Sequence, residues 1–587
     1  MQSKLKILQS DNRLQDDLSF SRMANFLGIE SLFLDFHDFL TNFVASSEAA
    51  NKDVLALSCH TLIDIQNDQK LYDNFKSLIE TDTLFVFIYG VSSHPSIIKA
   101  LYSLSEGLIK SVEPVPDNEL EYNVSEGLRD VCQQFSGLRF GPISRGVDYS
   151  LELVDQAGGI DSFVTIDGRP SFLRFRKEEC QIFITATSHL IDIQETTFTQ
   201  ICVDRFSELV PALMFLKYVF KDHCWHNNTA QGCFIIDDPL LKRKYGYLSY
   251  DALLEAMEVY NFHTSIAFVP WNFKRSNKYI TDLFKDNANR FSICIHGCDH
   301  TWREFDSSDT DKLAFLVKQA TNRMNAHKDK YGLDFDRVMI FPGEVFSSNS
   351  IDALKSNNYL AAVNSLSCQR PEPVSIESLL PPAFMEYEGF PIFQRRLPGK
   401  IADFALDLFL GKPVFVFEHH DFFKNGYGNF KEFILGINNL AEKIEWKSLG
   451  EIIVNSYLQK DDGGKITRIK IYANRVRIKN TSNKIRTYEI TKTETDSGSI
   501  DSVMLNGEMV QYSVCDNIMK MVVDIKPGNI AYIVVIYQGQ FSKMKNFSMF
   551  YRVRVLSRRY LSDFRDNYVS KNNILYSFVK KVKSKFS

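Results

Sequence analysis

At 587 residues the chain is longer than one hydrophobic core organises, so several domains are expected. Its 44% hydrophobic and 24% charged residues are those of a soluble globular protein, and a net charge of -4 gives no global attraction to nucleic acid or to an anionic membrane. The ten Cys include no C-x-x-C pair, and Cys59, Cys233 and Cys294 sit inside apolar runs, as free thiols of a reducing compartment do. The apolar run at the N-terminus is too short for a signal peptide and no segment reaches transmembrane length, so a cytoplasmic protein is expected.

Residues 1 to about 110 alternate apolar runs with amphipathic ones. Lys4–Leu8, Leu32–Phe36, Val54–Leu57 and Thr83–Tyr89 read as strands, while Leu18–Leu27, Asp38–Ala45, Leu71–Ile79 and Ser96–Leu104 have helical spacing. This rhythm predicts a flavodoxin-like parallel sheet, without a Gly-x-Gly-x-x-Gly or a P-loop Lys. Leu62-Ile63-Asp64-Ile65-Gln66 recurs as Leu190-Ile191-Asp192-Ile193-Gln194, each after a His (His60, His189), which fits a duplicated element or coincidence equally. From 136 to 195 the pattern is strand-rich, with a hairpin signal at Asp167-Gly168. The apolar helix Val203–Phe220 closes an N-terminal α/β domain assigned to 1–222.

Residues 223–460 hold seven strand candidates: Cys233–Ile236, Ser265–Val269, Phe291–Ile295, Arg337–Phe341, Leu360–Val363, Pro391–Gln394 and Val414–Phe417. Helices such as Ala252–Tyr260 and Lys312–Met324 lie between them, and the repetition predicts a barrel. Residues 461–555 alternate apolar and polar positions and read as a β-sandwich. The tail, assigned to 556–587, reads as a basic amphipathic helix with Ile574, Leu575, Phe578, Val579 and Val582 at helical spacing. Such a helix lies on an anionic leaflet or docks on its own protein.

The chemistry concentrates between Gly232 and His300. One buried strand ends in Asp237-Asp238-Pro239, and another ends in His296-Gly-Cys-Asp-His300. Carboxyl ends of parallel strands are where sites are built. A carboxylate and two imidazoles leave positions open on a divalent metal, as hydrolytic chemistry requires. Both carboxylates reach one site only if the strand breaks between them, and Pro239 fits such a break.

Ile235-Ile236-Asp237-Asp238 resembles the first motif of the polysaccharide deacetylases (carbohydrate esterase family 4, the NodB-homology domain), and His296-Gly-Cys-Asp-His300 resembles the second. Phe341-Pro342-Gly343-Glu344 and Phe417-Glu418-His419-His420-Asp421 fall where the third and fifth motifs would. The resemblance implies a distorted (β/α)7 barrel for the middle domain. It implies deacetylation of an N- or O-acetylated sugar, with Asp237 as base and a divalent metal, zinc first among the first-row transition metals, on Asp238, His296 and His300. Aligning on His-Asp selects His420, ahead of His419, as the group that protonates the leaving group. Glu344, Trp302 and Arg396 are candidate substrate contacts.

The family's third motif carries an Arg that orients the base; here that position is Ile340, with Arg303, Arg395 and Arg396 as candidates to replace it. Its loss motivates a second reading, a glycan-binding scaffold without turnover. A third, a glycoside hydrolase pairing Asp237 with Glu344 or Glu418, leaves the two His unexplained. A cytoplasmic location points to a lipid- or nucleotide-linked glycan precursor as the substrate, with peripheral contact at the inner face of the membrane.

Overall fold

The computed structural model describes residues 4–10, 15–43, 54–81, 84–116, 120–143, 146–154, 159–365, 373–495, 497–539 and 546–571. Ser31–Asp35, Leu5–Gln9, Val54–Ser58 and Phe85–Tyr89 lie side by side in that order, all parallel, as the flavodoxin-like rhythm predicts. Cys180–Thr185 adds to them in parallel, and Arg169–Lys177, Ile160–Ile166 and Tyr122–Val124 extend the same sheet antiparallel. The Asp167-Gly168 hairpin forms, with φ of 48° and 75° at its two turn residues, where Gly costs nothing and Asp little. The repeated phrase is coincidence: its first copy lies in the helix Cys59–Asn67, its second in irregular chain.

All seven middle strands are present and parallel. Their order across the sheet is Ile392–Gln394, Ala361–Asn364, Val338–Ile340, Phe291–His296, Thr264–Phe268, Ala230–Asp237 and Val414–Glu418. Ile444–Trp446 pairs with the start of Ala230–Asp237. Beyond Gln394 a single parallel bridge from Arg396 to Val416 joins the two edges, so the curled sheet closes at one point.

The boundary near residue 222 is a change of sheet, and the two parts share one core. The helix Phe206–Phe220 is apolar on nearly all sides and must be covered on each. Phe215 stacks on Phe87 of the first sheet at 4.7 Å, while Lys217 bonds the Phe409 carbonyl of the barrel. One apolar cluster therefore runs from Leu5 through Phe215 to Trp446.

Residues 457–537 form two facing sheets around Ile469, Ile478, Ile490 and Ile533, a β-sandwich. The tail begins a helix at Met549, which runs to Phe564 and continues as a wider turn through Val569. It docks on the barrel: Asp563 meets Arg275 at 2.7 Å, Tyr551 donates to Asp299 at 3.0 Å and Tyr245 donates to Asp566 at 2.7 Å. Ile574, Leu575, Phe578, Val579 and Val582 lie outside the described residues. Among the described residues no helix is long and apolar enough to cross a membrane.

Sandwich and barrel are joined by a buried ionic knot. Glu494, fully shielded from solvent, pairs with Lys355 of the barrel helix Ser348–Ser356 and with Lys492 at 3.1 Å, and accepts from Tyr537 at 2.7 Å. Removing the carboxylate strands two buried ammonium groups. Glu494→Ala should cost about 3–5 kcal/mol, read by calorimetry as a lower melting temperature, and Glu494→Gln should cost less.

Candidate metal centre and active site

The barrel brings its functional side chains to one mouth because each follows the carboxyl end of a strand. Asp237 is the last residue of its strand and Asp238 the first beyond it. At Asp238 φ is +79°, the left-handed break that lets neighbouring carboxylates enter one cavity instead of pointing oppositely.

His296 ends its own strand. Its Nδ1 lies 3.0 Å from the Ile340 carbonyl, which can only accept, so Nδ1 carries the proton and the Nε2 lone pair is free. Burial pushes the His296 imidazole down to about 4, so the ring is neutral at neutral pH and fit to be a ligand. His300 arrives by a tight loop that wraps a buried carboxylate. Glu304 accepts backbone N–H bonds from Cys298 (2.8 Å), Asp299 (3.1 Å), His300 (3.2 Å) and Thr301 (3.2 Å). The loop closes only around glycine: a Cβ at Gly297 would stand 2.2 Å from Glu304 and 2.4 Å from Pro342. Glu304 was not singled out by sequence; its one local signal is its place four residues after His300.

Asp238, His296 and His300 each offer a ligand atom within 4.8 Å of the others. Nε2 of His300 lies 3.0 Å and Nε2 of His296 3.7 Å from Asp238 Oδ1. Ligands at 2.0–2.2 Å around one tetrahedral centre stand roughly 3.3–3.6 Å apart. Asp238 Oδ1 is buried and has no hydrogen-bond partner. A buried carboxylate oxygen that faces two imidazole nitrogens and no other polar partner calls for a proton on a ring or a cation among all three, so these residues fit a divalent metal. Burial would raise the Asp238 carboxyl, but His300 first, then His296 and the Arg559 charge, outweigh it and hold it well below the usual carboxylate range.

Asp237 is tuned by a different partner. Arg395, almost wholly buried, donates to Asp237 Oδ1 at 2.9 Å and to Glu344 Oε1 at 3.3 Å, and its guanidinium lies 4.0 Å from the Phe417 ring centre. Burial works to raise the Asp237 carboxyl, and the Arg395 charge with the nearby imidazoles brings it below its ordinary value. The guanidinium absent at Ile340 is thus supplied from another strand end, while Ile340 gives its carbonyl to His296. Arg303 pairs with Asp306 instead.

The remaining expected residues divide. Glu344, bonded by Ser365, lines the cavity, as do His419 and Trp302, whose ring is 60% exposed at the rim. His420 does not reach it: the ring is buried against Tyr245 and Tyr247, with Nε2 3.7 Å from Asp566. Arg396 faces away. Successive residues alternate, so with Arg395 pointing inward Arg396 points outward, to Asp407 at 2.6 Å and the Ile201 carbonyl at 2.8 Å. The cavity measures about 1110 Å³, and one side of it is the C-terminal helix, through Arg554, Arg558 and Arg559.

No protein-family model matches the chain, and no curated protein does. Solved structures do. The crystal structure of Agd3, a novel carbohydrate deacetylase, aligns over 91% of this chain and 99% of its own at 10% identity, with a TM-score of 0.48. A family 4 carbohydrate esterase from Streptomyces lividans, in complex with acetate, aligns over 36% of this chain and 88% of its own at 10% identity, with a TM-score of 0.24. A family 4 acetyl xylan esterase from Clostridium thermocellum, in complex with a cobalt ion, aligns over 38% and 90% at 12% identity, with a TM-score of 0.24. The second and third of these are named as family 4 esterases.

The Glu304 cradle yields a graded expectation. Glu304→Ala leaves buried N–H groups unpaired and should cost at least about 2–3 kcal/mol. Glu304→Gln keeps one acceptor oxygen and should fall between it and wild type in chemical unfolding.

Proposed function

We propose that the protein is a metal-dependent carbohydrate deacetylase, removing an N- or O-acetyl group from a sugar of a glycan or glycan precursor. The observation that carries this reading is two adjacent carboxylates with separate duties: Asp238 beside two imidazoles, Asp237 bound to a buried guanidinium. Asp238, His296 and His300 would hold the divalent cation, with zinc the first candidate. Bound there, it would acidify water and polarise the acetyl carbonyl.

Asp237 is the base. Arg395 engages its Oδ1 and fixes the carboxylate, leaving Oδ2 to take the proton of the attacking water. His419, exposed on the cavity wall, returns a proton to the leaving nitrogen or oxygen, and the buried His420 is left out of this role. Trp302 offers a flat apolar face to the sugar ring. The scaffold reading took its motive from the missing Arg, and Arg395 removes that motive. The glycoside hydrolase reading still leaves two imidazoles without a task.

Asp237→Asn should keep its metal, by elemental analysis, and lose about 10²–10⁴-fold in acetate release from an acetylated amino sugar. Asp238→Asn should lose the metal as well. His419→Ala should slow the amide substrate by about 10²-fold or more and spare an aryl acetate, whose leaving group needs no proton; His420→Ala should show no such selectivity. If wild type holds metal but releases acetate from no sugar, the scaffold reading replaces this one.

For the setting of the reaction, the same reading favours a cytoplasmic enzyme working at a membrane on a lipid- or nucleotide-linked precursor. Two features support it: thiols such as Cys59, Cys233 and Cys294 are free and buried, and Phe550, Val553, Leu561, Phe564 and Tyr568 form an exposed stripe along the C-terminal helix. The protein should sediment with anionic vesicles, less so at high salt, and Phe550→Ser with Phe564→Ser should abolish the effect.

A further inference from the structure

We propose that the C-terminal helix carries an oxyanion subsite, so that the acetylated sugar entering the cavity bears a phosphate or carboxylate group. The inference rests on the deacetylase reading for the sugar, but the subsite stands on its own geometry. Arg554, Arg558 and Arg565, at i, i+4 and i+11, share one face of the helix and line the same cavity as Asp238 and His300. Arg559 lines it as well.

The helix does not neutralise these charges itself. Its carboxylates are spent on docking, Asp563 with Arg275 at 2.7 Å and Lys242 at 3.3 Å, and Asp566 with Tyr245 at 2.7 Å. Of the four arginines only Arg565 shares one of them, its Nε lying 2.6 Å from Asp566. Arg554, Arg558 and Arg559 have no ion pair among the described residues. Arg559 is the decisive member: it is 4% exposed, and its buried Nε has no hydrogen-bond partner. A guanidinium withdrawn from water without an anion is costly, and a planar or tetrahedral oxyanion satisfies it with paired, charge-assisted bonds. The carboxylates at the floor of the cavity act on this wall only at a distance: Asp237 and Glu344 are held by Arg395, and Asp238 and Glu304 lie within electrostatic reach of the helix arginines but form no ion pair with Arg558 or Arg559. A neutral sugar would leave Arg558 and Arg559 without an ion-pair partner. A sugar phosphate, a phosphodiester of a linked precursor or a uronic acid would supply one.

The test uses the full-length protein in two assays. In the first, inorganic phosphate is titrated calorimetrically at low salt into zinc-loaded and chelator-treated protein. Binding should be saturable, survive chelation, weaken with added salt and fall at least 10-fold in Arg558→Gln with Arg559→Gln. Arg552→Gln, outside the cavity, should leave it unchanged. In the second, acetate release is compared among N-acetylglucosamine, its 1-phosphate and an N-acetylated hexosaminuronic acid. One of the charged sugars should exceed the neutral one in kcat/KM by roughly 10–100-fold, and the winner identifies the anion; the double variant should lose the preference. Equal kcat/KM for all three, or phosphate binding that vanishes with the metal, overturns the subsite while leaving deacetylation intact. Phosphate held through Arg558 and Arg559 with acetate released from no substrate upholds the subsite and discards the deacetylase reading.

Discussion

The centre depends on one buried cation. Arg395 lies under Phe417 and grips Asp237 with one nitrogen and Glu344 with another, so Asp237, the loop after Val338–Ile340 and the barrel seam share a single fastening. Burial alone pushes the Asp237 carboxyl up. Arg395 counters that penalty and favours the ionised form. The next residue, Arg396, makes the parallel bridge to Val416 that closes the sheet. Barrel closure and the ionisation of Asp237 are therefore set by two consecutive residues.

Much of the fold and the core of the site were legible because they are written locally. A run of apolar residues stopped by Asp237-Asp238 or by His296 marks a strand and its carboxyl end together, and apolar runs between helical segments mark the other five. What escaped was long-range. Arg395 reaches Asp237 across 158 positions, and no spacing rule registers such a pair. Nor does sequence say which of two adjacent arginines points inward, since that parity follows from the pairing of Arg396 with Val416. His419 and His420 pose the same problem, and the wall of Tyr245 and Tyr247 around His420 settles which ring is enclosed. The repeated Leu-Ile-Asp-Ile-Gln shows the converse, a local likeness without structural meaning.

The tail shows what composition leaves open. Basic residues beside apolar ones announce an amphipathic helix, yet nothing local says that one flank covers a cavity whose floor was built some 250 residues earlier. Its three faces have distinct company: Val555 and Asp566 the barrel, Arg554 and Arg558 the cavity, Phe550 and Phe564 the solvent.

The contact between this helix and His420 has a mechanical side. Tyr245 holds Asp566, the Gly246 amide holds Asn567, Tyr247 holds the Ser570 carbonyl, and His420 is wedged among them with no room for even a methyl on Gly246. That wedge is one peptide bond from His419. A tilt of the helix would press first on the His420 ring, the next residue in the chain after His419. Two parts of one cavity lining are thereby coupled, and a change made in either by mutation is felt at the other.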